Sequence, residues 1–456
     1  MLIAGLWYLR RELIPGRALS AVLAGALAVR TLVLPIWRHE YDGHEAEYLD
    51  LWMGTRELSQ GGTMLYPAMQ WLYRGLGTVA PVEHGPLVLS LAAGLVSIAA
   101  LHGLLARLVD RRVALAASVA LALCGTHAFW SSSAYNVILP HALAMVSLWA
   151  VAILARRGDA LGAGLVAGGA AALAVATRLE SVALAPVGLV LLIVYRPPAW
   201  KRWLPPLVLA AGLAVVAAGL VVLPGGQLTP GSGQRALAFE DNATLLSYFA
   251  PFDATWLLPV GLVALALALR QRPGLFGALL ALVVGSHLVF ATFDDYGFRH
   301  LLNALAALCA LFAVLVRWKY TLPLYFVALA SLGWQTLDVR ERYYASEESY
   351  AGTLDPTLPV RTSTGDCALI NEDSRIVLEQ EQLSHFNLLD PAEAQRLREE
   401  YGCILWLQTV QDHRWSSRSV RARALRLEHL YELTPKAVVK RDNGFVGQLV
   451  EVGERK

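Results

Sequence analysis

The chain has 456 residues, 56% of them hydrophobic and only 16% charged, with a formal net charge of +2 and a mean hydropathy of +0.47. Such a composition excludes an ordinary soluble multidomain protein and a disordered one, and points to a chain whose solvent is largely lipid. No nucleic-acid partner is expected of it.

Apolar runs of about 20 residues, the length that crosses a bilayer, recur along most of the chain. Segments such as "ALSAVLAGALAVRTLVLPIW" and "WLPPLVLAAGLAVVAAGLVVLP" lack the alternation of barrel strands, so helices must satisfy the backbone. The expected fold is mainly α and polytopic, with about eleven transmembrane helices near 17–37, 86–106, 113–130, 136–155, 160–177, 180–195, 203–223, 254–269, 274–293, 299–316 and 320–337. With a cytoplasmic N-terminus, every inner loop is basic, including Arg10, Arg11, Arg107, Arg111, Arg112, Arg156, Arg157, Lys201, Arg270 and Arg317. The opposite side collects the acids. "MLIAGLWYLRRELIPGR" has no small-residue cleavage site and reads as a lead-in rather than a signal peptide.

The first outer loop, 38–85, opens with "YDGHEAEYLDL" and is too aromatic for a linker. From Glu45 to Leu58, apolar residues recur at helical spacing. A second amphipathic piece, "MLYPAMQWLYRGLG", offers Tyr66, Trp71 and Tyr73 to the headgroup level. Both predict interfacial helices. Asp42, His44, Glu45, Glu47 and Asp50 then lie where membrane meets water and carboxylates can ionise.

Three further outward-facing stretches carry groups that a hydrophobic bundle does not need. "WSSSAYN" brings Ser131, Ser132, Ser133, Tyr135 and Asn136. "ATRLESV" brings Arg178 and Glu180. "FDDYGFRHLLNAL" brings Asp294, Asp295, Tyr296, Arg299, His300 and Asn303. Arg30, near the outer end of the first span, points toward the same region. Loop 224–253 is rich in Gly and Pro and suits a lid.

Structural readings stand beside the functional ones. Arg178 and Glu180 fit a pair across a turn, Asp294 and Asp295 fit a helix cap, and Arg299 fits a snorkelling side chain. His102, His127, His141 and His287 read as packing or interfacial residues. Residues 338–456 change composition to strand, helix and strand patterns, the mark of a small exported α/β domain following a membrane domain at 1–337. Cys124 and Cys309 fall inside helices as apolar fillers, while Cys367 and Cys403 lie in the tail, where spacing allows a disulfide but does not establish one.

Arginines that neutralise phosphate, a carboxylate that takes a proton from a hydroxyl, and aromatics that flank a sugar together suit glycosyl transfer at a membrane surface. "HEAEYLDL" resembles the Asp-Glu-Ala-x-Tyr signature of the GT-C class of membrane glycosyltransferases, which includes protein O-mannosyltransferases, aminoarabinose transferases of lipid A and RgtA/B/C/D-like bacterial enzymes. "ATRLESVALAP" is similar to the family's Thr-Arg-x-Glu segment, and "FRHLLNALAALCAL" to its late helix; the resemblance spans roughly residues 16–320.

It implies a GT-C-like fold in the bacterial cytoplasmic membrane, a periplasmic active site and a polyprenyl-phosphate-sugar donor. It also implies a lipid, glycan or protein acceptor, and inversion at the anomeric carbon. Glu45 and Tyr48 fall on family positions, but His44 occupies the place of the family aspartate. Three readings follow: Asp42 is the base, His44 is the base, or transfer activity has been lost. Asp42 is favoured, with Glu45 orienting the acceptor or a metal. Arg299 binds donor phosphate, and Arg178, Glu180, Asp294, Asp295, Tyr296, His300 and Tyr48 complete the donor site. Some relatives use a divalent cation; no cofactor is certain. A transporter or a catalytically silent assembly protein are the competing functions, although one-sided clustering of polar groups and the lack of a detectable repeat disfavour transport.

Overall fold

A computed structural model of the chain describes residues 16–34, 48–49, 51–54, 67–134, 137–157, 160–178, 181, 187–188, 190–191, 194, 257–277, 279–280, 302–339, 361–362, 365–370, 385–386, 391–408, 427–440 and 446–456. The chain divides into two compact units with a boundary between residues 340 and 341.

In the first unit, the described helices are α1 (Arg17–Ala28), α2 (Pro67–Val79), α3 (Gly85–Leu108), α4 (Arg111–Leu123), α5 (Gly125–Trp130), α6 (Ile138–Arg157), α7 (Ala160–Thr177), α8 (Leu257–Gln271), α9 (Leu302–Ala313) and α10 (Leu322–Val339). Gly85–Leu108 and Ile138–Ala155 are long and apolar enough to cross a bilayer. Gly162–Thr177, Pro259–Gln271, Leu302–Arg317 and Leu322–Leu337 are shorter apolar helices. The predicted span at 203–223 lies outside the described residues, as do most of 180–195 and 274–293.

α3 packs against α4 and α6, α6 against α7, and α9 against both α4 and α6. Small residues are frequent in the interior of these helices: Ala93, Ala114, Ala117, Ala144, Ala163, Ala170 and Ala304 are all buried, and small side chains let helix backbones approach closely. Asp110 starts α4 by accepting from the backbone N–H of Val113 at 2.9 Å, and its carboxylate also meets Arg317 Nε at 3.4 Å.

One expected span is corrected. Residues 113–130 form two helices, α4 and α5, because Cys124 adopts an extended conformation (φ −66°, ψ 113°). The break allows α10 to approach closely: a Cβ on Gly125 would lie 2.8 Å from the carbonyl carbon of Gln335. Carbonyls freed by the break find side chains. Thr336 Oγ1 donates to Leu123 O at 2.7 Å, and Arg30 Nη1 donates to Ala122 O at 3.3 Å. A broken helix inside an apolar bundle persists only when such donors re-satisfy its backbone.

Two described pieces of the stretch 38–85 pack onto this bundle. Tyr48, Leu49 and Leu51 to Met53 are helical, and the turn ends at Gly54 (φ +79°). Tyr48, Leu51 and Trp52 bury against Met69 and Tyr73 of α2, with Leu89 of α3 and Leu139 of α6 packed around them. Gly77 is required in this contact, since a Cβ there would fall 1.8 Å from the Trp52 carbonyl oxygen. Of the rings expected at headgroup level, Trp71 is 67% exposed but Tyr73 is fully buried. The α2 stripe that faces Tyr48 and Trp52 claims Tyr73, and a ring cannot serve the lipid surface and this core together. Tyr66 lies outside the described residues.

The second unit contains a five-stranded mixed sheet ordered β4-β3-β5-β7-β6, and a separate β1-β2 pair (Arg361–Thr362 and Gly365–Asp366). β3 (Ala368–Ile370) runs parallel to β4 (His385–Phe386) and β5 (Ile404–Gln408). β7 (Val446–Arg455) runs antiparallel to β5 and to β6 (Tyr431–Lys440). Helix α11 (Pro391–Tyr401) buries Ala394 and Leu397 against Ile370, Ile404, Trp406, Val450 and Val452. Cys367 and Cys403, side by side at the starts of β3 and β5, are joined by a disulfide with Cα atoms 4.8 Å apart.

Candidate functional site

Aromatic packing fixes the helical turn at Tyr48–Met53 against α2. Tyr48 and Tyr73 rings lie 5.0 Å apart, and Trp52 meets Tyr73 edge to face at 5.9 Å. Trp52 Nε1 donates to Ala80 O at 2.8 Å, which ties the loop's helical turn to the entry of α3. Tyr48 is 2% exposed, so the described structure places it within this aromatic core.

α2 also packs on α7, whose end delivers Arg178. The Arg178 N–H donates to Ala174 O at 2.8 Å, and Ser181 N–H donates to Arg178 O at 3.1 Å. The Arg178 side chain is half-buried. Thr177 Oγ1 donates back to Leu173 O at 2.7 Å and to Ala174 O at 3.0 Å, satisfying carbonyls of the final turn.

Among the predicted site residues, Asp42, His44, Glu45, Glu180, Asp294, Asp295, Tyr296, Arg299 and His300 lie outside the described residues, as do Glu47, Asp50, His287 and the loop at 224–253. Tyr48 and Arg178 are described, one through the α2 contact and the other at the end of α7. Ser131, Ser132 and Ser133 are buried; Ser131 and Ser132 donate to His127 O and Ala128 O of α5, a local backbone role. No group of three or more His, Cys, Asp or Glu among the described residues could hold a metal ion.

Histidines that read as packing residues prove to be hydrogen-bonded polar centres. His127, on α5, meets Arg30 Nη2 at 2.8 Å and Ser97 Oγ at 2.8 Å. His141, in the first turn of α6, meets Asn303 Oδ1 of α9 at 2.7 Å. Their rings are 5.5 Å apart and edge to face. Arg30 lies on a π-helical turn, Val29–Val33, closed by Leu34 N–H donating to Val29 O at 2.9 Å. Such widened turns recur at functional positions. The available sequence signal was an intramembrane arginine; nothing in the spacing of 30, 97, 127, 141 and 303 announced that they meet.

No family model matches the sequence, and no curated protein matches it. Solved structures do match its fold. ArnT from Cupriavidus metallidurans bound to undecaprenyl phosphate is similar with a TM-score of 0.50 at 14% identity, covering 95% of this chain and 97% of that one. The Archaeoglobus fulgidus oligosaccharyltransferase in complex with Zn and sulfate gives a TM-score of 0.52 at 13% identity, covering 94% and 72%. The same archaeon's oligosaccharyltransferase AglB, with an inhibitory peptide and a dolichol-phosphate, gives 0.50 at 12%, covering 94% and 74%. At these identities the likeness is one of fold, which this chain shares with these structures.

Proposed function

We propose that the protein is a GT-C-type glycosyltransferase that takes a sugar from a polyprenyl-phosphate donor. The shared fold carries this reading, since ArnT and AglB in that fold hold undecaprenyl phosphate and a dolichol-phosphate. The acceptor is a lipid, glycan or protein outside the bacterial cytoplasmic membrane. The N-terminus is cytoplasmic, and residues 338–456 form a periplasmic domain following the membrane domain.

In the proposed reaction an acceptor hydroxyl attacks the anomeric carbon with inversion. Asp42 takes its proton, and the bonding pair of the breaking C–O bond leaves with the phosphate. Glu45 orients the acceptor, and Arg299 neutralises the charge that develops on phosphate oxygens, where a fixed guanidinium stabilises the transition state more than the ground state. Arg178, Glu180, Asp294, Asp295, Tyr296 and His300 line the donor side, while Tyr48 serves in the aromatic core against α2. His44 stands where the resemblance places an aspartate and is the alternative base.

Purified chain with a labelled lipid-phosphate sugar tests the donor site: Arg299→Ala raises the KM for donor more than that for acceptor. The reverse result reassigns the arginine.

A further inference from the structure

At the end of the first unit where α3 leads into α4, the charge is one-sided. Arg111 and Arg112 open α4, Arg270 and Arg272 lie at the close of α8, and Arg317 and Lys319 follow α9. Arg317 draws these three ends together: its Nε lies 3.4 Å from the Asp110 carboxylate, and its Nη1 donates to Gln271 Oε1. Asp110 is the one carboxylate that the described residues place here, and it is already engaged by Arg317 and by the Val113 N–H. Arg111, Arg112, Arg270, Arg272 and Lys319 are exposed, and among the described residues none of them has an acid within ion-pair distance.

Keeping cations on one side of a membrane asks only that they occupy loops; it does not ask that they be fixed or that they converge. Here they are held. Thr321 Oγ1 donates to Leu315 O at 2.7 Å and the Leu322 N–H donates to Trp318 O at 3.1 Å, so the turn between α9 and α10 is closed by hydrogen bonds. That turn presents Lys319, with Nζ 4.9 Å from the centroid of the Tyr320 ring, and Tyr320 is itself 81% exposed. Further along the same helices, α8 exposes Leu262 and Val263, and α10 exposes Phe326 and Val327. Fixed cations and an exposed aromatic ring beside apolar helix surface suit a lipid, whose phosphate meets the charges while its acyl chains lie on the apolar flank. A soluble acidic partner matches the charge but not the apolar strip.

We propose that this rim, built from the start of α4, the close of α8 and the turn after α9, binds an anionic phospholipid of the surrounding leaflet. A lipid with two phosphates is preferred to one with a single phosphate, because the exposed cations at three helix ends exceed what one phosphate neutralises. The rim lies at the other end of α3 from Ala80, where Trp52 is bonded, and it does not depend on sugar transfer.

The full-length protein in detergent, stripped of bound lipid, is titrated with cardiolipin, which carries two phosphates, and with phosphatidylglycerol, phosphatidylcholine and inorganic pyrophosphate. Binding is read by native mass spectrometry. Cardiolipin binds about tenfold or more tightly than phosphatidylcholine or pyrophosphate, with phosphatidylglycerol between them. Arg272→Gln combined with Lys319→Gln weakens cardiolipin about tenfold and leaves phosphatidylcholine unchanged, since basic side chains beside an anionic headgroup each add to its affinity. Lys319→Gln alone, the substitute if the pair does not purify, weakens it by a smaller factor. Removing the same charge from exposed positions of the second unit, by Arg455→Gln with Lys456→Gln, leaves cardiolipin binding as it was.

Phosphatidylcholine or pyrophosphate binding as tightly as cardiolipin overturns the site. So does cardiolipin binding that survives the loss of Arg272 and Lys319, or that falls equally in the second-unit variant, where net charge alone has changed. Phosphatidylglycerol binding as tightly as cardiolipin overturns the preference for two phosphates.

Discussion

Arg30 Nη2 and His127 Nδ1, 97 residues apart in the chain, meet at 2.8 Å inside the helical bundle. The pairing joins the π-helical turn after α1 to α5 at the place where the predicted third span is broken, and the same guanidinium caps Ala122 O beside that break. One side chain thus serves both the link between helices and the exposed backbone of the break.

Removing His127 leaves the cation with carbonyl partners alone. His127→Leu is expected to destabilise the protein by about 1.5–3 kcal/mol, the range for losing a hydrogen bond to a charged group. Arg30→Met combined with His127→Leu removes the stranded charge and recovers part of that loss. Thermal unfolding of both single variants and the double variant in one detergent checks it; a double variant no more stable than His127→Leu contradicts the pairing.

The capping bond at the break can be tested separately. Thr336→Val keeps the shape but loses the donor to Leu123 O, an expected loss of about 1–3 kcal/mol for an unsatisfied buried carbonyl. Thr336→Ser retains most of the stability. Equal unfolding temperatures for the two variants show that the carbonyl has found another donor.

Gly77→Ala places a methyl against the Trp52 carbonyl, where a Cβ would sit 1.8 Å away. The helical turn that carries Tyr48 must then shift from α2, at an expected cost of about 1–3 kcal/mol. Because Trp52 Nε1 bonds to Ala80 O in this contact, tryptophan emission should move to longer wavelength as the indole becomes wetter. An unchanged spectrum and stability contradict the packing.

How much of this was legible beforehand varies by element. α3, α6, α7 and α10 follow from apolar runs bounded by charge or proline, because hydropathy reports what faces lipid and these helices are uniformly apolar. The break at Cys124 was hidden because its cause, the approach of α10 at Gln335 and Thr336, is remote in sequence. Tyr73 was misplaced for a related reason: period alone gives an aromatic two candidate surfaces, and packing on Tyr48 and Trp52 decides between them. For the site, the acids around Asp42 were conspicuous as charges in a greasy chain, whereas His127 and His141 became meaningful only through Arg30 and Asn303. A lone histidine in an apolar run carries no record of its hydrogen-bond partner.

In the second unit, the disulfide closes a sequence separation of 36 residues between β3 and β5. Cys367→Ser with Cys403→Ser is expected to cost about 2–4 kcal/mol in that unit. Thiol labelling under denaturing, non-reducing conditions should count two free cysteines, Cys124 and Cys309, in the wild type. Four labelled thiols contradict the pairing.

The most direct measurement of the central claim is release of undecaprenyl phosphate from a radiolabelled undecaprenyl-phosphate sugar by the purified chain, supplied with envelope acceptors, for the wild type and Asp42→Asn. The account predicts acceptor-dependent release by the wild type and its loss in a normally folded Asp42→Asn protein. No release from any such donor contradicts the proposed function, and full release by Asp42→Asn contradicts the assignment of the base.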